Sequence, residues 1–310
     1  MIRTADRAFV TLVGIALASS AILVALFVSL LAHVPRLVAG DGDVLGDAVP
    51  GLILFLATIG IALGLTSLGR QLWQTLQLIR GLLRKQVRMP ARIAGVAGEL
   101  GIAERVDVVA DDRPFAFTYW FVRPRVCVST GLIRRLAEDE LRAVLSHERY
   151  HVERRDPLRI VLARYFAAGL YVVPVVDDLV AHFTMVKEVA ADEDAVRAMG
   201  SVRPLARALY SLMPHADDMD MGLLTPVGGL TVTEARIEQL VDPQPIAAPL
   251  PLGHVALSAM TLAGALALLL AQVPLAAGRF DVALPWPPAA VISFAAIPGV
   301  AHQLRAVIRS

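Results

Sequence analysis

Apolar and polar positions alternate along this chain on two different length scales. From Ala8 to about His33 the residues are almost all Val, Leu, Ala, Ile and Phe, about 25 positions, enough for a helix to cross a hydrocarbon core. A second such run covers about Ala48 to Leu68, a third runs from Leu252 to about Pro274, and a fourth, Leu284 to about Ala301, is broken by four prolines. The fourth reads either as a span or as a re-entrant segment. The first run is too long, and lacks a small-residue cleavage site before the polar loop at Asp41, for a cleaved signal peptide. Gly60 and Gly64 sit at the spacing that lets helices approach closely.

Between Pro90 and about Pro249 the pattern changes to mixed composition with ordinary charge density, as in a globular domain. Runs of β-formers at Val106–Val109, Phe115–Tyr119 and Arg125–Ser129, separated by turn signals, predict a small sheet. Glu138 to Arg155 then carries Leu141, Val144, Leu145 and Val152 at helical spacing, with acidic residues at its start and Pro157 closing it. The apolar stretch Ile160–Val176 fits a tilted or re-entrant membrane element, or a helix buried in the globular domain, which is the preferred reading. The expected organisation is 1–69 with two transmembrane helices, 70–92 as a basic juxtamembrane or interfacial helix, 93–249 as the globular domain and 250–310 as C-terminal transmembrane helices.

Composition supports a membrane as solvent for part of the chain. The 310 residues are 56% hydrophobic and 18% charged, and mean hydropathy is +0.62, where a soluble domain carries about a quarter charged residues. A net charge of +1 gives no reason to expect a nucleic-acid partner. Arg3 and Arg7 precede the first span, and Arg70, Arg80, Arg84, Lys85, Arg88 and Arg92 follow the second. The excess of cations places the N-terminus and the central domain on the cytoplasmic side of the cell membrane. Leu72, Trp73, Leu76, Ile79 and Leu83 lie at helical spacing among these cations, which suits either an interfacial helix on anionic lipid or a solvated helix packed on the domain. Cys127 is the only cysteine, so there is no internal disulfide; between Val126 and Val128 it reads as a small buried hydrophobe.

The chemistry lies in Ser146-His147-Glu148-Arg149-Tyr150-His151, an H-E-x-x-H pattern inside the predicted helix. Residues four apart share a helix face, so His147 and His151 can aim both imidazoles at one Zn2+ ion, with Glu148 beside the water that zinc activates. Glu148 is then the general base, taking the water proton and delivering it to a leaving amine. A third ligand is needed. A histidine six residues after His151 is excluded by Pro157, so the ligand must come from a later element. Lys187-Glu188-Val-Ala-Ala-Asp192 offers Glu188 as a ligand and Asp192, one turn on, to orient a ligand histidine through its ring N–H. An acidic helix face is also commonly a solvated one. His182 reads as a core histidine.

These residues carry a resemblance. His147-Glu-Arg-Tyr-His151 with Arg154-Arg155-Asp156-Pro157-Leu158, preceded by Pro114-Phe-Ala-Phe-Thr-Tyr and Arg123-Pro-Arg-Val-Cys-Val-Ser-Thr-Gly131, resembles the BlaR/MecR-type antirepressor membrane metallopeptidases and their HtpX/Ste24-like relatives over about residues 95 to 200. The resemblance implies a gluzincin-type (zincin) α+β metallopeptidase domain in an α-helical integral membrane protein. It implies Glu188 as the third ligand and Asp192 as its E-x-x-x-D companion. It implies a zinc endopeptidase whose substrate is a protein or peptide, such as a repressor, and a possible sensor or regulator protein as partner. It also places Arg125–Ser129 near the cleft, to accept a peptide by strand addition or to serve as a plain core strand. Arg236, within Thr233-Glu-Ala-Arg236, resembles an oxyanion-assisting arginine, though Gly228-Gly-Leu230 replaces the His-Pro that often precedes it, and a structural salt bridge is the other reading. The β-lactam receptors carry a penicillin-binding sensor after the last span; with the sequence ending at Ser310, none is expected here. A partner-gated signalling component and a non-catalytic scaffold that keeps the fold are the competing functional classes.

Overall fold

The computed structural model describes residues 2–31, 34, 44–212, 236, 239–240 and 250–276. The expected fourth apolar segment, 284–301, and most of the segment around Arg236 lie outside them. In chain order the elements are α1 (Ile2–Leu31), α2 (Val44–Arg84), β1 (Gln86–Val87), α3 (Ala91–Glu99), β2 (Val106–Val109), β3 (Ala116–Tyr119), β4 (Arg125–Ser129), α4 (Thr130–Arg135), α5 (Glu138–Arg154), α6 (Asp156–Gly169), α7 (Val175–Met199), α8 (Arg203–Leu212) and α9 (Leu252–Ala276). Among the described residues three stretches are long and apolar enough to cross a membrane: Thr4–Leu31, Pro50–Arg84 and Leu252–Leu270. The described residues are mostly helical with one small sheet, and the apolar stretches make this a membrane protein.

The chain divides into two compact units, one from the described parts of Met1–Phe9, Gln71–Val161 and Phe183–Ala247, the other from Val10–Arg70, Leu162–His182 and Ala248–Ser310. This differs from the expected 93–249 domain in three places. Residues up to Phe9 and from Gln71 onward join the first unit, and 162–182 leaves it. No break separates the second span from the basic segment after it, because α2 is continuous over 41 residues. Gly69, the one residue there that could interrupt it, is tolerated as an ordinary helical position facing open space.

The first unit is built on the period-two alternation of its strands. The sheet order is β1-β2-β4-β3, with β2 and β4 parallel and the other two pairs antiparallel. Val106, Val108, Val126 and Val128 fall on one face and pack with Ile93 and Val96 of α3 and Leu141, Val144, Leu145 and Val152 of α5. Val109, Cys127 and Phe117 fall on the other, against Leu78 and Leu82 near the end of α2. Cys127 is fully buried there, and burial, reinforced by Asp107 and Glu148, pushes its thiol up to about 12. Ser129 ends β4 and caps α4, its hydroxyl accepting from the Leu132 N–H at 3.0 Å. The strand Arg125–Ser129 is therefore interior, with β2 on one side and β3 on the other. It has no free edge for a peptide; among the described strands β3 is an edge.

In the second unit Ala167, Leu170, Tyr171, Val172 and Val176 pack with Ala16, Leu56 and Ile59. The stretch 160–176 was expected inside the globular domain, but from Leu162 on it packs among the apolar helices. Burial against lipid-type and protein-type neighbours gives the same hydrophobic pattern, so periodicity does not distinguish them. A Cβ on Gly60 would stand 2.7 Å from the Gly169 carbonyl oxygen, so this glycine is needed for the approach, whereas one on Gly64 would stand 3.2 Å from the Tyr165 ring, which would have to give by a few tenths of an ångström. His182, on α7, is half-buried, and its Nδ1 has no hydrogen-bond partner.

Candidate metal centre

Helix α5 begins where the Ala137 N–H donates to the Glu140 carboxylate at 2.9 Å, and it buries His147, Glu148 and His151 on one side. Its end is unusual. Arg155 adopts left-handed geometry, φ 54° and ψ 41°, which a non-glycine residue rarely takes. The chain turns back at once, and Pro157, expected to close the helix, lies in the first turn of α6, where proline's fixed φ is compatible and its missing N–H costs nothing. The turn carries Asp156 to His151, whose Nδ1 is 2.6 Å from Asp156 Oδ2.

Facing α5, α7 presents Glu188 and Asp192 one turn apart. The Nε2 atoms of His147 and His151 are 3.1 Å apart, and Glu188 Oε2 lies 3.4 Å from the first and 3.7 Å from the second. His147 Nδ1 is 2.8 Å from Asp192 Oδ1. Bonds of about 2.0–2.1 Å at tetrahedral angles separate zinc ligands by about 3.3 Å, so the three donor atoms already stand at the spacing a shared ion requires. Both outer ring nitrogens face carboxylates, which leaves both Nε2 atoms for a metal. The donor set fits.

The remaining residues surround this group. Thr118, on β3, donates from its hydroxyl to Glu148 Oε2 at 2.7 Å, fixing the carboxylate beside the histidines. Arg236 grips Asp192 with two hydrogen bonds, Nε to Oδ2 at 2.7 Å and Nη2 to Oδ1 at 2.6 Å, and its Nη1 is 3.7 Å from Glu188 Oε2. Of its two expected roles, the geometry displays the salt bridge. Lys187 pairs with Glu188 Oε1. Burial opposes ionisation of Glu188, but Lys187 and His151 outweigh it and hold the carboxyl well below its usual range. Asp192 is likewise lowered, its burial overcome by Arg236. Burial works against a charged His151, yet Glu188 and Asp156 raise it to about 9. His147 is raised for the same kind of reason, its burial and the neighbouring Arg236 outweighed by Asp192 and Glu188. A metal at these imidazoles would compete with protons for the same nitrogens.

The residues singled out from the sequence, His147, Glu148, His151, Glu188, Asp192 and Arg236, thus come together at one place. Two others were missed. Asp156 lies just past the helix expected over Glu138 to Arg155, where helical spacing assigns it no role. Thr118 lies on a separate strand, and no local spacing pointed to it.

Residues 83–213 match the model of Peptidase family M48. The matched segment holds every residue of the group except Arg236. The chain is 31% identical over 156 residues to a "Protease HtpX homolog" of Methanothermobacter thermautotrophicus, covering 43% of this chain and 59% of that one. It is 31% identical over 90 residues to "Protease HtpX homolog 1" of Streptomyces coelicolor, 28% of this chain and 27% of the relative. A "Protease HtpX homolog" of Moorella thermoacetica is 52% identical over 42 residues, 14% of each. The chain thus spans well under two thirds of the length of these curated relatives.

Proposed function

We propose that this chain is an integral-membrane zinc endopeptidase that hydrolyses peptide bonds of a protein substrate at the cytoplasmic face. The observation that carries the reading is the convergence of His147 Nε2, His151 Nε2 and Glu188 Oε2 next to a Glu148 carboxylate fixed by Thr118. His147, His151 and Glu188 would hold the ion. When bound, zinc supplies Lewis-acid polarisation of the scissile carbonyl and acidifies water. Glu148 takes the proton of the attacking water and delivers it to the leaving amine. Asp192 and Asp156 orient the two histidines, and Arg236 acts through Asp192 rather than on the oxyanion.

The free edge of β3 replaces Arg125–Ser129 as the place for an extended peptide, since Thr118 on this strand touches Glu148. The cytoplasmic orientation rests on the arginines that follow the second apolar run. A regulatory protein such as a repressor is the proposed substrate class, and a sensor or regulator protein a proposed partner, both by the BlaR/MecR resemblance.

The test is metal content and cleavage of a casein-type substrate in detergent, for wild type and Glu148→Gln. The expected result is about one zinc per chain in both proteins and a rate lowered about 10²–10⁴-fold in the variant. A wild-type chain that binds no metal would overturn the reading.

A further inference from the structure

The first unit contains a segment that belongs in sequence to a membrane helix. Residues of α1 up to Phe9 are grouped with the helix segments that carry His147, His151 and Glu188, whereas the rest of α1 lies in the other unit. Ala5 is 1% exposed, packed in a cluster with Tyr150 of α5 and with Val186, Ala190 and Ala191 of α7. Those three α7 residues flank Glu188, and Tyr150 precedes His151. Phe9 meets Phe183 in a tilted ring contact with centroids 5.1 Å apart. One face of the first two turns of α1 therefore touches both helices that carry the metal-ligating side chains.

Asp6 lies between these apolar contacts and completes an ionic chain. Its Oδ2 accepts from Arg154, the last residue of α5, and its Oδ1 accepts from Arg159 Nη1 at 2.9 Å. The same Arg159 Nη1 is 3.9 Å from Asp156 Oδ1, too long for a hydrogen bond, and that oxygen is buried with no other partner. Asp156 Oδ2 meanwhile holds His151 Nδ1. Arg159, whose guanidinium also lies 5.1 Å from the centre of the Phe9 ring, is thus shared between the head of α1 and the carboxylate that orients His151.

We propose that the N-terminal turns of α1 are part of the metal site, with Asp6 and Arg159 as positioning residues that set the placement of Asp156 and so of His151. The bond from Asp6 holds Arg159 at the edge of Asp156's reach and fixes the turn at Arg155 through Arg154. Displacing α1 frees both arginines, changes the charge facing Asp156 Oδ1 and loosens the contact of α5 with α7. A helix that continues as a candidate membrane span thereby controls how firmly the site holds its ion. The inference rests on the metal-site part of the proposed function and does not depend on the reaction.

The test uses the full chain in detergent, with Co2+ affinity read by its visible absorption against a competing chelator. The melting temperature of the metal-free protein is measured alongside. Asp6→Asn and Arg159→Gln are each expected to weaken Co2+ binding about tenfold, with the double variant no weaker than the poorer single one, because the two act in series. Arg159→Lys keeps the charge but not the planar guanidinium that lies near the Phe9 ring, and falls between wild type and Arg159→Gln. Ala5→Leu, which overpacks the cluster without touching a charge, is expected to accelerate ion release. Arg207→Gln, at the other end of α5 on the surface pair with Asp139, leaves affinity unchanged. A purely structural dock would lower the metal-free melting temperature while affinity stayed within about twofold of wild type, and that result would sink the proposal. If the neutral variants do not fold, Arg159→Lys and Asp6→Glu decide it by the same affinity readout. Cleavage enters none of these measurements, so a failed peptidase reading is seen separately.

Discussion

His147 and His151 are one turn apart on a single helix, and each turns its Nδ1 to a carboxylate, yet the two arms behind them are built differently. Asp192, behind His147, has both oxygens taken by the Arg236 fork, and the arm is closed. Asp156, behind His151, has one oxygen on the histidine and one buried without a hydrogen bond, 3.9 Å from Arg159. Two like imidazoles are thus fixed by a saturated ion pair on one side and by an unsaturated one on the other. A buried carboxylate with both oxygens engaged has no low-cost alternative position. One with a spare oxygen does, and the side of the site that can respond to its surroundings is the His151 side.

Removing Asp192 should break the comparison most severely. Asp192→Ala leaves the buried Arg236 with only the more distant Glu188 at 3.7 Å and removes the partner of His147, and breaking a buried ion pair costs about 3–5 kcal/mol. The expected outcome is a large fall in the denaturation midpoint of the metal-free chain, together with metal affinity lowered about 10–100-fold. A variant that lost affinity but kept full metal-free stability would show that the Arg236 pair does not hold the fold there. Asp156→Asn should be milder. The amide retains an acceptor toward His151 Nδ1–H and leaves no guanidinium without its main partner, since Arg159 is held by Asp6. Metal affinity should drop about tenfold with metal-free stability nearly unchanged. Equal stability losses in the two variants would mean that the arms are equivalent and the asymmetry has no energetic content.

The same asymmetry explains what could be read from the sequence. His147, Glu148 and His151 share one helix, and Glu188 and Asp192 share another, so helical spacing alone places each set on one face. Asp156 depends on a left-handed Arg155, a conformation with no glycine or asparagine to announce it. The proline two residues on was the available signal, since proline is as suited to the first turn of a new helix as to the end of an old one. Thr118 and the N-terminal turns of α1 reach the site through tertiary packing. Nothing in their local sequence encodes it. The three main strands follow from their alternation, whereas β1, two residues long, is set by pairing with β2 alone. The order of strands is likewise not in the pattern, which is why β4 reads from the sequence equally as a peptide-accepting strand and as the core strand it is.

A third carboxylate, Asp107 on β2, sharpens the comparison because no metal ligand is involved. Arg125 Nη2 donates to its Oδ1 at 2.7 Å, Tyr119 to its Oδ2 at 2.7 Å and Gln86 to its Oδ1 at 3.0 Å, so it is saturated as Asp192 is. Burial opposes its ionisation, but Arg125 and Tyr119 prevail, and the carboxyl is held below its ordinary value. A carboxylate whose folded value is depressed stabilises the fold above its unfolded value, and that contribution disappears as pH falls through the folded value. Wild type should therefore exceed Asp107→Asn in melting temperature by a full margin at pH 6–7, about 2–4 °C if the network is worth about 1 kcal/mol, a low figure because Arg125 is partly exposed to solvent. The margin should begin to narrow as pH falls below the ordinary Asp value of about 3.9 and disappear as pH passes through the lower folded value of Asp107. Parallel melting curves across that range would show that the ionised state of Asp107 contributes nothing. Saturation by a guanidinium would then be a matter of geometry, and the contrast between the Asp192 and Asp156 arms would have to rest on shape rather than charge.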